Sequence, residues 1–280
     1  MRIAIQGVKG AFHEVAAREY FANREIEIIE KISFDDVMQS VIGFESDFGI
    51  IAIENTISGT IHANLKLLKQ YDVKICGEIF IRIQQNLAVL PGVNIENLTE
   101  VRSHYMAINQ TRQFFKHYPK IRLVESESTA VSFRQISEEK LTTVGAIGSK
   151  LAAQMYNLEI ISSGIETNKK NYTRFLIVEP STGNGSNICN KSSLSIILQN
   201  HQGSLSQILS IISFYGVDLT KIESIPIIGQ PLHYMFYIDI KYQDYQRYKE
   251  MLNAIRPLLK ELTVLGEYRA GEESWNAVIM

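Results

Sequence analysis

The strongest constraint on the fold is rhythmic. Over the first two-thirds of the chain, short β-branched runs alternate with longer segments of helical period. The pattern predicts strands at 3–6, 26–30, 48–53, 101, 121–124, 144–147 and 174–178. Helices are expected between them, at 12–21, 34–42, 61–69, 106–117, 130–136 and 150–156. Such alternation specifies an α/β architecture with mainly parallel strands. The rhythm stops at 180–187, Pro-Ser-Thr-Gly-Asn-Gly-Ser-Asn, which has no apolar residue and reads as a linker. Beyond it the order is strand 193–198, helix 205–214, strands 217–222 and 233–240, helix 245–259 and strand 263–268. That is the split βαβ, ferredoxin-like order. Two units follow, 1–180 and 192–270, joined by a linker at 181–191. The tail from Ala270, with the only tryptophan at Trp275, shows no clear element.

A chain of 280 residues is long for one compact unit, and 45% apolar residues suffice for two cores. The net charge of −2, without a lysine-arginine block, gives no reason to expect nucleic acid or an anionic membrane as partner. The start, Met1-Arg2-Ile3-Ala4-Ile5, is too short and polar for a signal-peptide core, and no apolar run approaches a membrane span. Cys76 and Cys189 lie far apart without metal-type spacing, so they read as two reduced thiols in a cytosolic protein.

Few segments carry chemistry. Gly7-Val8-Lys9-Gly10 lies between a strand and a helix, where backbone amides can face an anion, although two glycines also mark a tight turn. The segment 145–150 lacks phosphate-loop spacing, no histidine pair has metal-ligand spacing, and no serine sits in a nucleophile elbow. In Ile53-Glu54-Asn55-Thr56-Ile57-Ser58-Gly59 a buried strand ends in a carboxylate, an amide and a hydroxyl. This is where open α/β sheets bind ligands, although Asn55, Thr56 or Ser58 could equally cap a helix. Asn171-Tyr172-Thr173-Arg174-Phe175 opens the last strand before the linker; Arg174 can clamp a carboxylate and Thr173 can donate or accept.

Together these segments resemble the prephenate dehydratase family along nearly the whole chain. Gly7 to Glu14 with Ala16 and Ala17, Glu54-Asn55-Thr56 with Gly59, Gly77-Glu78, Asn86-Leu87, Ser103-His104 and Ser128-Thr129-Ala130 fall in its order. Asn171, Thr173, Arg174 and Phe175 match its most diagnostic motif. His201-Gln202-Gly203-Ser204-Leu205 and Lys221-Ile222-Glu223-Ser224-Ile225-Pro226 resemble the effector segments of its C-terminal ACT domain.

The resemblance implies two α/β lobes like those of type 2 periplasmic binding proteins: about 1–79 with 165–180, and 80–164. The chain would cross near 78–83 and return near 161–168. It implies conversion of prephenate to phenylpyruvate, water and carbon dioxide in L-phenylalanine biosynthesis. Aromatisation drives that reaction, and it needs no cofactor. Thr173 would donate a hydrogen bond to the departing hydroxyl, Arg174 would anchor a carboxylate or form a structural ion pair, and Phe175 would pack on the ring. Asn55 and Thr56 would orient the substrate, with Glu54 behind them. Gly7, Gly10, Ala11, Phe12, Ser103, Ser128 and Thr129 would line the substrate site. Gly203, Ser204, Leu205, Glu223 and Ser224 would bind phenylalanine as allosteric effector in a homodimer or homotetramer. Arogenate dehydration and a non-catalytic ACT-linked amino-acid sensor are the alternatives. A fused chorismate mutase is not expected, since no helical domain accompanies these units.

Overall fold

The computed structural model describes residues 1–183, 189–199 and 201–271. Linker residues Asn184 to Asn187 and the Trp275 tail lie outside the described residues. Three sheets organise the rest.

The first contains β1 (Arg2–Gln6), β2 (Glu27–Lys31), β3 (Phe48–Asn55), β4 (Gly59–Thr60), β5 (Val73–Arg82) and β11 (Tyr172–Pro180). The second contains β6 (Asn86–Val89), β7 (Glu100–Ser103), β8 (Arg122–Glu125), β9 (Val144–Gly148) and β10 (Glu159–Ser162). Their orders are β2-β1-β3-β11-β5, with β4 on β3, and β10-β6-β9-β7-β8. The chain leaves the first sheet after β5, builds the second, and returns through β11. This gives the expected two-lobed architecture, with two crossing segments at 83–85 and 163–171.

The expectation of mainly parallel strands is corrected. β1 is parallel to β2 and β3, and β7 to β8 and β9, whereas β11 runs antiparallel to both β3 and β5. β6 likewise opposes β9 and β10. The cause is the double crossing: a strand that comes back from the other lobe enters its sheet reversed.

α1 (Phe12–Tyr20) covers one face of the first sheet through Ala16 and Ala17, packed with Ile3, Ile50, Ile79 and Phe175. α2 (Phe34–Ile42) and α3 (His62–Gln70) cover the other through Val37, Met38, Leu65 and Leu68. The second lobe carries α4 (Tyr105–Phe115), α5 (Thr129–Glu139) and α6 (Lys150–Met155). Among the described residues no helix is long and apolar enough to cross a membrane.

The third sheet contains β12 (Lys191–Leu198), β13 (Asp218–Pro226), β14 (Tyr234–Lys241) and β15 (Leu259–Tyr268) in the order β13-β14-β12-β15, antiparallel throughout. With α7 (Ser204–Phe214) and α8 (Tyr245–Ile255) on one face it is ferredoxin-like. α8 is shorter than expected because Pro257 cannot continue it, and β15 starts at Leu259. The opposite face docks on the first lobe: Ile225, Met235, Tyr237, Leu265 and Tyr268 join the α2–α3 core cluster. Gly266 permits the close approach, since a Cβ there would stand 2.2 Å from the Ile75 carbonyl oxygen. Gly266→Ala is therefore expected to cost about 1–3 kcal/mol through overpacking. Thermal denaturation checks this, and an unchanged midpoint would contradict the tight docking.

Candidate active site

A cleft of about 420 Å³ opens between the two lobes. β11 supplies its floor. Side chains alternate along a strand, so Thr173 and Phe175 face the cleft while Arg174 points to the opposite side of the sheet. Thr173 pairs with Asn55 on β3 and with Ile81 on β5, which makes it a residue of the sheet interior, 8% exposed.

Asn55 fixes what the Thr173 hydroxyl can do. Its Oδ1 accepts from the backbone N–H groups of Ile57 (2.9 Å) and Ser58 (3.0 Å), an Asx turn. Its Nδ2 must then face the other way, where it donates to Asn171 Oδ1 (2.7 Å) and Thr173 Oγ1 (2.9 Å). Thr173 is thus an acceptor toward Asn55, which leaves its own proton for the cleft. The capping alternative does not hold, because α3 begins after Ile61.

Among the described residues the cleft lining includes no lysine or arginine, and Glu127 is its one carboxylate. Positive potential comes instead from helix ends. The N-caps of α1, α4 and α5 (Ala11, His104 and Ser128) all line the cleft. Each helix N-terminus presents partial positive charge and backbone N–H groups. The Glu14 N–H bonds the Ala11 carbonyl (3.0 Å), but Ala11 offers no capping side chain to compete with a ligand for the Phe12 and His13 N–H groups. Phe12, Ile61, Ile83, Met106 and Phe175 supply apolar wall. His13 stands edge-on to Phe175, ring centroids 5.1 Å apart, with Nε2 out of solvent reach and without a protein partner. Burial lowers its pKa to about 4.

Of the residues marked from sequence, Gly7, Ala11, Phe12, Ser128 and Thr129 line the cleft, together with Asn55, Thr173 and Phe175. Two expected lining residues do not. The Gly10 N–H is held by Glu14 Oε2 (2.6 Å), its carbonyl accepts from Ser149 Oγ (2.6 Å), and it abuts Ala152, so it forms a contact between lobes. Ser103 is fully buried and donates to the Ile147 carbonyl (2.7 Å). Thr56 is also turned away: its hydroxyl donates to the Lys170 carbonyl (3.1 Å) and accepts from the Tyr172 N–H (3.0 Å). Sequence reasoning missed His13, Gln85, Gln110 and Met106, which converge on the cleft from separate segments.

For Arg174 the structure decides between the two readings. It is 2% exposed and engages Glu78 (2.6 Å), Asp239 (2.5 Å) and the Tyr268 hydroxyl (3.2 Å), at the junction with the C-terminal unit. Lys191 adds a second cation on Glu78 (2.9 Å). Burial opposes the charge on both Arg174 and Asp239, but the surrounding partners together outweigh it: Asp239 and Glu78 raise the pKa of Arg174, and Arg174, Lys191 and the Ser193 hydroxyl depress that of Asp239. Arg174 therefore forms the structural ion pair rather than the carboxylate clamp. Glu54 lies at the same junction, 2.5 Å from Lys221 and 3.5 Å from Arg174. Glu223 turns toward the first lobe, accepting from Thr60 and standing 3.2 Å from His62. The Thr60 hydroxyl foremost, with His62 and Lys221, holds its carboxyl below the usual range against the opposing effect of burial.

Breaking a buried pair from one side costs about 3–5 kcal/mol. Arg174→Met should lower thermal stability accordingly while leaving KM within a few-fold; a large KM rise with unchanged stability would restore the clamp. For His13, the folded pKa lies below the unfolded one of 6.5, so the unfolded chain binds more protons between pH 6.5 and 4. Stability should be level with respect to His13 above pH 6.5 and fall by up to about 3 kcal/mol as pH drops to 4. An NMR titration should find the His13 ring neutral down to about pH 4; a midpoint near 6.5 would contradict its burial.

A family model described as prephenate dehydratase matches residues 3–182. The chain is 34% identical over 284 residues to the chloroplastic arogenate dehydratase/prephenate dehydratase 2 of Arabidopsis thaliana, covering 96% of this chain and 72% of that protein. The prephenate dehydratase of Arthrobacter aurescens, solved in complex with L-Phe, superposes with a TM-score of 0.87 at 25% identity, covering 98% of this chain and 91% of that one. A protein described as GqqA, a novel type of quorum-quenching acylase, superposes with a TM-score of 0.85 at 25% identity, covering 96% and 98%. With well over half its length matched by the family model, and with a curated relative above 30% identity along nearly all of it, the chain belongs to the prephenate dehydratase family.

Proposed function

We propose that the protein converts prephenate to phenylpyruvate, water and carbon dioxide in L-phenylalanine biosynthesis. The observation that carries this reading is the Thr173 hydroxyl, which accepts from Asn55 Nδ2 (2.9 Å) in the wall of a cleft that three helix N-caps also line. In the reaction the bond from the ring to its carboxylate breaks, those electrons complete the aromatic ring, and the C–O bond opposite releases hydroxide. Thr173 donates to that oxygen as charge develops, and a proton from solvent completes water. The amides at the ends of α1, α4 and α5 hold the two carboxylates without a fixed cation. Phe12 and Phe175 pack against the ring, and the lobes exclude bulk water.

Loss of one such preorganised donor costs about 2.7–4 kcal/mol. Thr173→Val, which keeps the shape, should therefore lower kcat by about 10²–10³-fold at unchanged thermal stability. Wild-type turnover of prephenate by this variant would refute the role.

Arogenate, with an ammonium in place of the side-chain ketone, undergoes the same chemistry and is the nearest alternative substrate. The Arabidopsis relative carries both activities in its name, which supports testing both.

The C-terminal unit is the regulatory ACT domain in this reading, with L-phenylalanine as effector bound near Gly203, Ser204, Leu205 and Ser224. Assembly as a dimer or tetramer of a cytosolic protein is supported by apolar surface on this unit, where Phe214, Ile228 and Leu232 are 82%, 87% and 82% exposed. Lys221 and Glu223 reach from β13 to Glu54 and Thr60, next to Asn55, which gives an effector a physical route to Thr173. Coupling of about 1–3 kcal/mol is expected. Calorimetry of the full chain should detect phenylalanine binding; no heat at millimolar ligand would exclude this control.

A further inference from the structure

The hydrogen-bond chain that begins at Asn55 does not end at Thr173. It runs on to Asn171, whose Nδ2 donates to Gln110 Oε1 (3.0 Å). The same oxygen accepts from Gln85 Nε2 (3.1 Å). Each carboxamide dictates the next. Asn55 Oδ1 is committed to two backbone N–H groups, so its Nδ2 faces Asn171 Oδ1, which turns Asn171 Nδ2 to Gln110. Gln110 can meet two N–H donors only with its oxygen, and Gln85 must offer its nitrogen. The orientation of Gln85 is thereby fixed from peptide groups 28 and 27 residues away in sequence (Ile57 and Ser58) rather than chosen.

The consequence is a bare acceptor. Gln85 is 3% exposed and lines the cleft, its backbone N–H is held by Glu166 Oε2 (2.8 Å), and among the described residues no donor reaches its Oε1. A buried carbonyl oxygen without a donor is costly, so it marks the place of a donor on the ligand.

We propose that Gln85 Oε1 is a substrate-recognition acceptor that takes a hydrogen bond from an O–H or N–H of the bound substrate. This rests on the reading of the cleft as that of a prephenate or arogenate dehydratase. Carboxylates and the prephenate ketone only accept, and Gln85 turns them away. The ring hydroxyl, present in both substrates, is a donor; the ammonium of arogenate is the other. A hydroxyl held by Gln85 keeps its lone pairs for Thr173, so one group orients the leaving oxygen and the other stabilises its departure. A site built around a donor rejects analogues that lack it.

The test compares wild type and Gln85→Met in kcat/KM for prephenate and for arogenate, and in inhibition by phenylpyruvate, which has neither donor. Removing the acceptor should lower kcat/KM by about ten- to a hundredfold. A fall for both substrates with phenylpyruvate inhibition unchanged identifies the ring hydroxyl as the donor. A fall confined to arogenate identifies the ammonium. No fall for either, or a fall matched by equally weakened phenylpyruvate inhibition, overturns the assignment. Should the methionine variant fail to fold, Gln85→Leu gives the same comparison. Wild-type protein that converts neither substrate would instead overturn the reading of the cleft itself.

Discussion

The two-residue period of β11 is the constraint on which the rest depends. This strand is buried on both faces and hydrogen-bonded along both edges, to β3 and β5. Thr173 and Phe175 therefore have no freedom except to face the cleft, and Arg174 none except to face the C-terminal unit. A one-residue slip would bury Arg174 in the substrate cleft and drive Thr173 into the ion-pair cluster, exchanging both functions at once. The same strand thus carries the reactive hydroxyl and the junction through which the C-terminal unit is docked.

Charge is distributed by the same logic. Arg174 and Lys191 are matched by Glu78 and Asp239 at the junction, a buried cluster of two cations and two anions. Removing any one member leaves a buried charge without compensation, which makes the junction intolerant and specific. The cleft follows the opposite strategy and uses oriented peptide groups. Neutral donors at helix ends can hold an anionic substrate without a fixed buried cation, which would need a counter-charge whenever the site is empty.

How much of this was legible in sequence depended on whether a signal was local. The α/β rhythm and the ferredoxin-like order were readable because hydrophobic period and turn residues are local properties. Thr173, Phe175 and Asn55 were marked by a motif, and the alternation of Thr173 with Arg174 was itself visible in the strand. What the sequence lacks is the identity of the two faces, so Arg174 stayed open between a carboxylate anchor in the cleft and a structural ion pair, and its partners at the junction settle the second. Gly10, Ser103 and Thr56 failed for a related reason: polar or glycine character was visible, but not the Glu14, Ile147 and Lys170 partners that consume it. Gln85 and Gln110 carry no local signal, since their meaning comes from Asn171, more than sixty positions beyond Gln110.

The central claim is that the locked carboxamide of Asn55 makes the Thr173 hydroxyl a donor to the substrate. Asn55→Asp tests it most directly, because a carboxylate keeps the turn at Ile57 and Ser58 but accepts from Thr173 instead of donating to it. The measurement is a double-mutant cycle in kcat for prephenate, with Asn55→Asp, Thr173→Val and the pair. The two single losses should be of similar size and the double loss no larger than either, since each removes the same donated proton. Losses that add on a logarithmic scale would show that Asn55 and Thr173 act independently, and would contradict the account.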